Sequence, residues 1–134
     1  MSSSLGPRTA GNEERYERLL ADIAQGVRLH YGEPGEDPDL DLLEGDRLYA
    51  RGLSTLADLG DLGATRELAD VISLIAQAQA AGDGELADAV WQAGKVAVGW
   101  GADGRYVAAK ELAREQAPTA AQALLAAARN LCDT

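Results

Sequence analysis

The chain is poor in the side chains from which strands and catalytic sites are usually built. Its 134 residues include no Phe, one Cys and one His, and Val and Ile together number nine, whereas Ala and Leu number 45. Strands favour β-branched and aromatic residues, and helices favour Ala and Leu. The composition therefore predicts an all-α protein, in a chain long enough for one domain with a single core.

Basic side chains are also scarce. Lys and Arg number 12 against 22 Asp and Glu, which gives a formal net charge of −10. Proteins that bind nucleic acid gain much of their affinity from Lys and Arg on phosphates, and this sequence has no basic cluster. The charge thus predicts no nucleic-acid or anionic-membrane partner, and it is typical of a protein kept soluble by its outer face.

The single cysteine, Cys132, excludes an internal disulfide. The sequence contains only one histidine, His30, so that a structural zinc site or a Cys–His dyad is disfavoured. We expect Cys132 to be a small core residue on a helix face with Ala121, Leu125 and Ala128.

Long apolar runs are absent too. No stretch of eighteen apolar residues occurs, and residues 1–10 lack the apolar region of a signal peptide. We therefore expect no membrane span and a cytoplasmic location. The Ser, Gly and Pro content of residues 1–11 predicts a disordered tail, followed by a single helical domain over residues 12–134.

What the chain does have is a regular series of helix start and stop signals. Asp before Pro38 is typical of a helix start, and Gly after an apolar series is typical of a helix end. These signals predict six helices with short connections, which form a compact bundle of antiparallel neighbours. The helices are expected to start at Asn12, Asp37, Asp61, Asp83, Asp103 and a Thr119 capping box. The expected stops are Gly32, Gly60, Gly82, the pair Gly99 and Gly101, and the residues before Pro118.

The third and fourth helices have unusually wide apolar arcs. Leu68, Ile72 and Ile75 belong to an arc covering more than half of the third helix, and Trp91 and Val98 widen the arc of the fourth. A surface helix needs an apolar arc of only about 100°. Because a small domain has little room for two central helices, we expect one of these faces to meet a partner subunit.

The second helix carries an acid within an apolar stripe. Asp46 projects on the same side as Leu42, Leu43, Tyr49 and Leu53. Such an acid needs a partner or water. Two interpretations remain open: Asp46 lies at the margin of the stripe, or it makes a specific hydrogen bond inside the fold or across an interface.

Two glycines lie on another face of the same helix. Gly45 and Gly52 are seven residues apart and share their face with Tyr49 and Leu56. Each Gly costs about 1 kcal/mol of helix propensity relative to Ala. Close approach of another helix is the simplest compensation.

Residues that could carry chemistry are few. Residues 33–46 contain seven acids and no base, but they lack the glycine and glutamate spacing of an EF-hand. Gly99-Trp100-Gly101 lacks the strand and the lysine of a phosphate loop. We predict no catalytic, metal-binding or cofactor-binding residue in this chain.

One stretch carries a resemblance to a known family. Residues 42–53, with Leu43-Glu44-Gly45-Asp46 at their start, and the leucine-rich run 56–60 resemble a helix of the trans-polyprenyl diphosphate synthase family. That family has a Leu-x-Gly-Asp motif there, and residues 64–81 are similar to its following helix. The likeness covers about forty residues.

The departures from that family decide what the resemblance implies. The two Asp-Asp-x-x-Asp motifs that hold magnesium in catalytic chains are missing. The pattern is similar instead to the small non-catalytic subunit of bacterial two-component polyprenyl diphosphate synthases. That resemblance implies part of the isoprenoid synthase helical fold, a catalytic partner chain that alone binds Mg²⁺, and support of the partner's activity and product length.

In the family, the helices resembled here lie at the subunit interface. The implied interface, with Asp46 buried in it, comprises Leu42, Gly45, Asp46, Tyr49, Gly52, Leu53, Leu56, Leu68, Ile72 and Ile75. The alternatives are a homodimeric α-helical interaction or scaffold protein of unrelated role, and a small enzyme with an unrecognised site.

Overall fold

A computed structural model describes residues 5–133, and these residues form six α-helices and one short 3-10 helix, with no strand among them. The predicted all-α class is confirmed. No helix in the described part of the chain combines the length and the apolar character needed to cross a membrane. The elements are the 3-10 helix Pro7–Thr9, α1 (Glu13–Tyr31), α2 (Pro38–Leu59), α3 (Leu62–Ala80), α4 (Gly84–Trp100), α5 (Gly104–Arg114) and α6 (Ala120–Cys132).

Aspartate caps start four of these helices as expected. The carboxylates of Asp37, Asp61, Asp83 and Asp103 each accept a hydrogen bond from the backbone N–H three residues ahead, over 2.9–3.2 Å. Each bond satisfies one of the N–H groups that a helix start leaves without a partner. Gly60 ends α2 in the left-handed conformation, at φ 76°.

The other two helix starts differ from expectation. Asn12 before α1 and Thr119 before α6 make no side-chain capping hydrogen bond. Thr119 has φ −93° and ψ 0° instead of the extended backbone of a capping residue. The predicted capping box at Thr119 is therefore wrong, although α6 begins where the sequence places it.

Contacts divide the chain into two compact units, which we describe separately. The hairpin unit comprises residues 12–65, in which α1 packs along α2. The C-terminal unit comprises the described residues up to 11 together with those from 66 onward. The single domain expected over residues 12–134 stays a prediction.

In the hairpin unit, α1 contributes Leu19 and Ile23 to the buried set, and α2 contributes Leu48 and Leu56. The Tyr16 hydroxyl donates a hydrogen bond of 2.7 Å to the capping carboxylate of Asp61. The same aspartate thus caps α3 and binds α1.

In the C-terminal unit, α4 is the central helix. It packs against α5, α6 and the 3-10 helix, and Gly94 faces the side chain of Val71 on α3. Nine of its 17 residues are buried, Val98 among them. The wide apolar arc of α4 is therefore covered largely within the chain, and a partner on this face stays a prediction.

The segment before α1 packs against α4. Residues 1–4 lie outside the described part, but the backbone of Leu5 crosses α4 at Gly99, where an added Cβ would lie 1.5 Å from the Leu5 carbonyl oxygen. Arg8 donates a hydrogen bond to the Val98 carbonyl, and Thr9 is fully buried. Residues 5–11 thus differ from the disordered tail that composition predicts, because the glycine leaves room for the chain to lie on the helix.

Candidate interaction surface

Glycines allow α1 and α2 to approach closely in the hairpin unit. A Cβ added at Gly45 would lie 2.4 Å from the ring of His30, and one added at Gly52 would lie 2.8 Å from Ile23 Cδ1. On α1, Gly26 faces the Tyr49 ring in the same way, at 2.6 Å. The close helix contact expected from Gly45 and Gly52 is therefore present, and it is made by α1 of the same chain.

The His30 ring closes one end of this contact. It stacks on Tyr49 with 5.0 Å between ring centroids, and its Nε2 lies 2.9 Å from Asp46 Oδ1. This nitrogen is buried and no described residue gives it an aligned hydrogen bond, so the contact with Asp46 is a close polar approach. Burial, followed by the nearby charges of Tyr31 and Asp46, raises the pKa of the Tyr49 phenol above its usual value.

Asp46 itself faces outward. Its side chain is 67% exposed, whereas that of His30 is 18% exposed. The carboxylate therefore keeps its water while one oxygen approaches the imidazole. Within this chain Asp46 is not buried, and the burial expected at an interface would require a second chain.

The start of α2 presents unburied leucines. The side chains of Leu40, Leu42 and Leu43 are 60%, 43% and 66% exposed. We call these three residues the leucine patch. Leu40 and Leu43, three residues apart, share one face of α2, and Leu42 projects from its side towards α1. Full burial of a leucine contributes about 1.5–3 kcal/mol, so the exposed leucines of this turn are a favourable contact for another apolar surface. Leu42 belongs to the expected interface; Leu40 and Leu43 were not assigned to it.

The other residues of the expected interface divide into two groups. Tyr49, Leu53 and Ile72 are partly exposed. Five are buried within the chain and do not form an outer surface: Gly45, Gly52, Leu56, Leu68 and Ile75. Their periodicity is accounted for by packing within the chain, because an apolar face has the same periodicity whether it packs inside the chain or outside it. Their assignment to a partner interface stays a prediction.

A polar cluster joins α3 to α5 in the C-terminal unit. Tyr106 donates a hydrogen bond of 2.5 Å to Glu67, and the Lys110 ammonium lies 2.9 Å from Glu67 and 2.8 Å from Asp70. Arg114 binds Asp70 from the other side at 2.7 Å. Charges and donors are matched throughout the cluster, which suits it to holding two helices together.

Burial is the largest influence on Tyr106, and with the adjacent Glu67 it raises the pKa of the phenol far above its usual value. For Lys110, burial would lower the pKa, but hydrogen bonds from Asp70 and Glu67 raise it above the usual lysine value. Both groups stay protonated at neutral pH, which favours a structural role over acid–base chemistry.

Cys132 is exposed, not a core residue. It borders an open groove of about 380 Å³ between α4 and α6, where Leu125 is also 39% exposed. The helix face predicted for Cys132, Leu125 and Ala128 exists, but only Ala128 of these three is buried. The residue lies at the last position of α6.

Among residues 5–133, no group of three His, Cys, Asp or Glu side chains is arranged to hold a metal ion. Comparison of the chain with protein-family models, with curated proteins and with solved structures found no match. The exposed leucine patch and the adjoining Asp46 therefore form the candidate site, defined by its geometry alone.

Proposed function

We propose that this chain is a non-catalytic subunit that docks on a catalytic polyprenyl diphosphate synthase chain and supports its activity and product length. The observation that carries the proposal is the leucine patch. It overlaps the beginning of residues 42–53, the stretch whose sequence resembles an interface helix of that family.

The exposed surface of α2 suits such a contact. Leu42 and Leu43 are both open to water, and Tyr49 and Leu53 continue the same stripe as partly exposed side chains. Asp46 stands within the stripe with one oxygen close to His30. A partner that covers the leucines would gain apolar burial, and it would need a donor for the remaining carboxylate oxygen.

Co-expression with a catalytic polyprenyl diphosphate synthase chain of the same organism, followed by co-purification, tests the proposal. We expect the two chains to purify together, and Leu43→Glu to reduce recovery of the pair at least tenfold. Ser54→Glu is the matched control, because it adds the same charge at an exposed position further along α2. Separation of the wild-type chains, or equal loss with both variants, would refute docking through the patch.

The isolated chain is expected to show no prenyltransferase turnover, because the aspartate motifs that hold magnesium in the family are missing. The assay combines the protein with an allylic diphosphate, isopentenyl diphosphate and Mg²⁺. Product above a no-protein control would contradict the non-catalytic assignment.

A second copy of this chain is the alternative occupant of the leucine patch, as in a homodimeric helical scaffold. Light scattering of the isolated protein at micromolar concentration separates the two. Twice the chain mass of 14.0 kDa, abolished by Leu43→Glu and combined with no binding to a synthase, would favour the homodimer.

A further inference from the structure

A groove rich in arginine lies between α1 and α2 in the hairpin unit, apart from the leucine patch. Its volume is about 360 Å³ and it is open to solvent. The lining residues are Arg15, Arg18, Leu19, Asp22, Arg51 and Thr55.

Helical spacing brings these side chains together. Arg15, Arg18 and Asp22 follow one another at intervals of three and four along α1, and Arg51 and Thr55 are four apart on α2. Residues at such intervals share one face of a helix. Because α1 packs along α2, the two faces meet at the groove. The sequence alone shows no basic cluster, since α1 and α2 contribute separately.

One arginine of the groove is held in place. Arg51 donates two hydrogen bonds to the two carboxylate oxygens of Asp22, over 2.9 and 2.8 Å. The Asp22 side chain is only 15% exposed, so this bidentate pair is fixed between the helices. The pair raises the pKa of Arg51, which is a permanent cation.

The other two arginines have no such partner. Arg15 and Arg18 are exposed, and no hydrogen bond or ion pair joins either to another described residue. Asp22 is the one acid among the described residues that line the groove. Three guanidinium groups against one carboxylate leave a local charge of about +2, in a chain whose net charge is −10.

We infer that this groove binds a phosphate or diphosphate group. Guanidinium forks match phosphate oxygens in pairs, and two arginines one helical turn apart can bind one group from two directions. The excess charge of the groove is equal in magnitude and opposite in sign to that of one phosphate dianion.

Isothermal titration of the full chain with pyrophosphate, at constant ionic strength, tests the inference. We expect saturable binding that Arg15→Gln/Arg18→Gln weakens at least tenfold. The control is Arg66→Gln/Arg105→Gln, which removes two exposed arginines outside the groove and changes the net charge equally. This control is expected to change the affinity less than twofold.

Circular dichroism of both double variants verifies the fold, which is expected to persist because the two groove arginines make no contact that holds the helices. A parallel titration with ADP distinguishes a free inorganic anion from the diphosphate group of an organic ester. Binding of pyrophosphate but not of ADP indicates a free anion, and binding of both indicates the diphosphate end of an ester. No binding of either, equal loss with the control, or binding only of a poly-glutamate peptide would overturn the inference. The titration uses this chain alone, so its result is independent of the proposed docking to a synthase.

Discussion

Gly52→Leu is the substitution that most directly tests the contact between α1 and α2. The Cβ of any larger residue would lie 2.8 Å from Ile23 Cδ1 and 3.3 Å from the Leu19 carbonyl oxygen. Ile23 is fully buried and the carbonyl belongs to the backbone of α1. The carbonyl can move only with α1, and Ile23 Cδ1 can move only by a change of side-chain rotamer within a buried site.

Two effects of opposite sign determine how much Gly52→Leu changes the free energy of unfolding. Replacement of a mid-helix Gly by Leu contributes about 0.8 kcal/mol through helix propensity. Overpacking a buried contact costs about 1–3 kcal/mol, and we expect the upper value because four carbon atoms enter a space that does not admit one. The net loss is about 2 kcal/mol, which lowers the Tm by roughly 6–10 °C for a chain of this length.

Thermal and urea unfolding followed by circular dichroism measure this loss. Gly104→Ala is the control, because a Cβ there meets nothing within 4 Å and the variant is expected to be as stable as the wild type or slightly more. Arg51→Ala removes the ion pair between a half-exposed arginine and the mostly buried Asp22, and it is expected to cost about 1 kcal/mol, less than Gly52→Leu. A Gly52→Leu protein at least as stable as the wild type would refute the close contact.

Two further predictions concern the C-terminal unit. Burial would raise the pKa of Asp70, but hydrogen bonds from Arg114 and Lys110 hold it below its usual value of 3.8. The Asp70 carboxylate therefore stabilises the fold above about pH 4, and this contribution is lost as the pH falls through the folded pKa. Urea unfolding between pH 5 and 2.5 should show a smaller decrease in the free energy of unfolding for Asp70→Asn than for the wild type. Cys132, being exposed, should react completely with a thiol reagent such as Ellman's without denaturant; reaction only after unfolding would show that α6 covers it.

The helix bounds could be predicted from the sequence because their signals are local. An aspartate such as Asp83 binds a backbone N–H only three residues away, and Gly60 ends α2 through its own φ. Such signals need no tertiary contact. Packing could not be predicted in the same way. The burial of the apolar arc of α4 depends on which helices surround it and on the segment before α1 that crosses Gly99.

The sequence also did not indicate which of two faces of α2 packs on α1. The stripe with Leu42 and Leu53 lies beside the face of Gly45 and Gly52, and α1 packs on the glycine face. Small residues let the backbones approach, so that many more atoms come within dispersion distance. Leu43 and Asp46 of the other stripe stay exposed, whereas its Tyr49 packs on Gly26 and His30 of α1.

Asp46 is the signal that could have distinguished the two faces. A carboxylate on the face packed against α1 would lose its water among apolar side chains, at a cost of several kcal/mol without a paired donor. On the outer face the Asp46 side chain is 67% exposed, and it also approaches His30. An acid within an apolar stripe therefore indicates the face that the chain leaves open, whereas glycines at a spacing of seven indicate the face that it closes. By this reasoning the leucine patch beside Asp46 remains open to a second chain, and the glycine face does not.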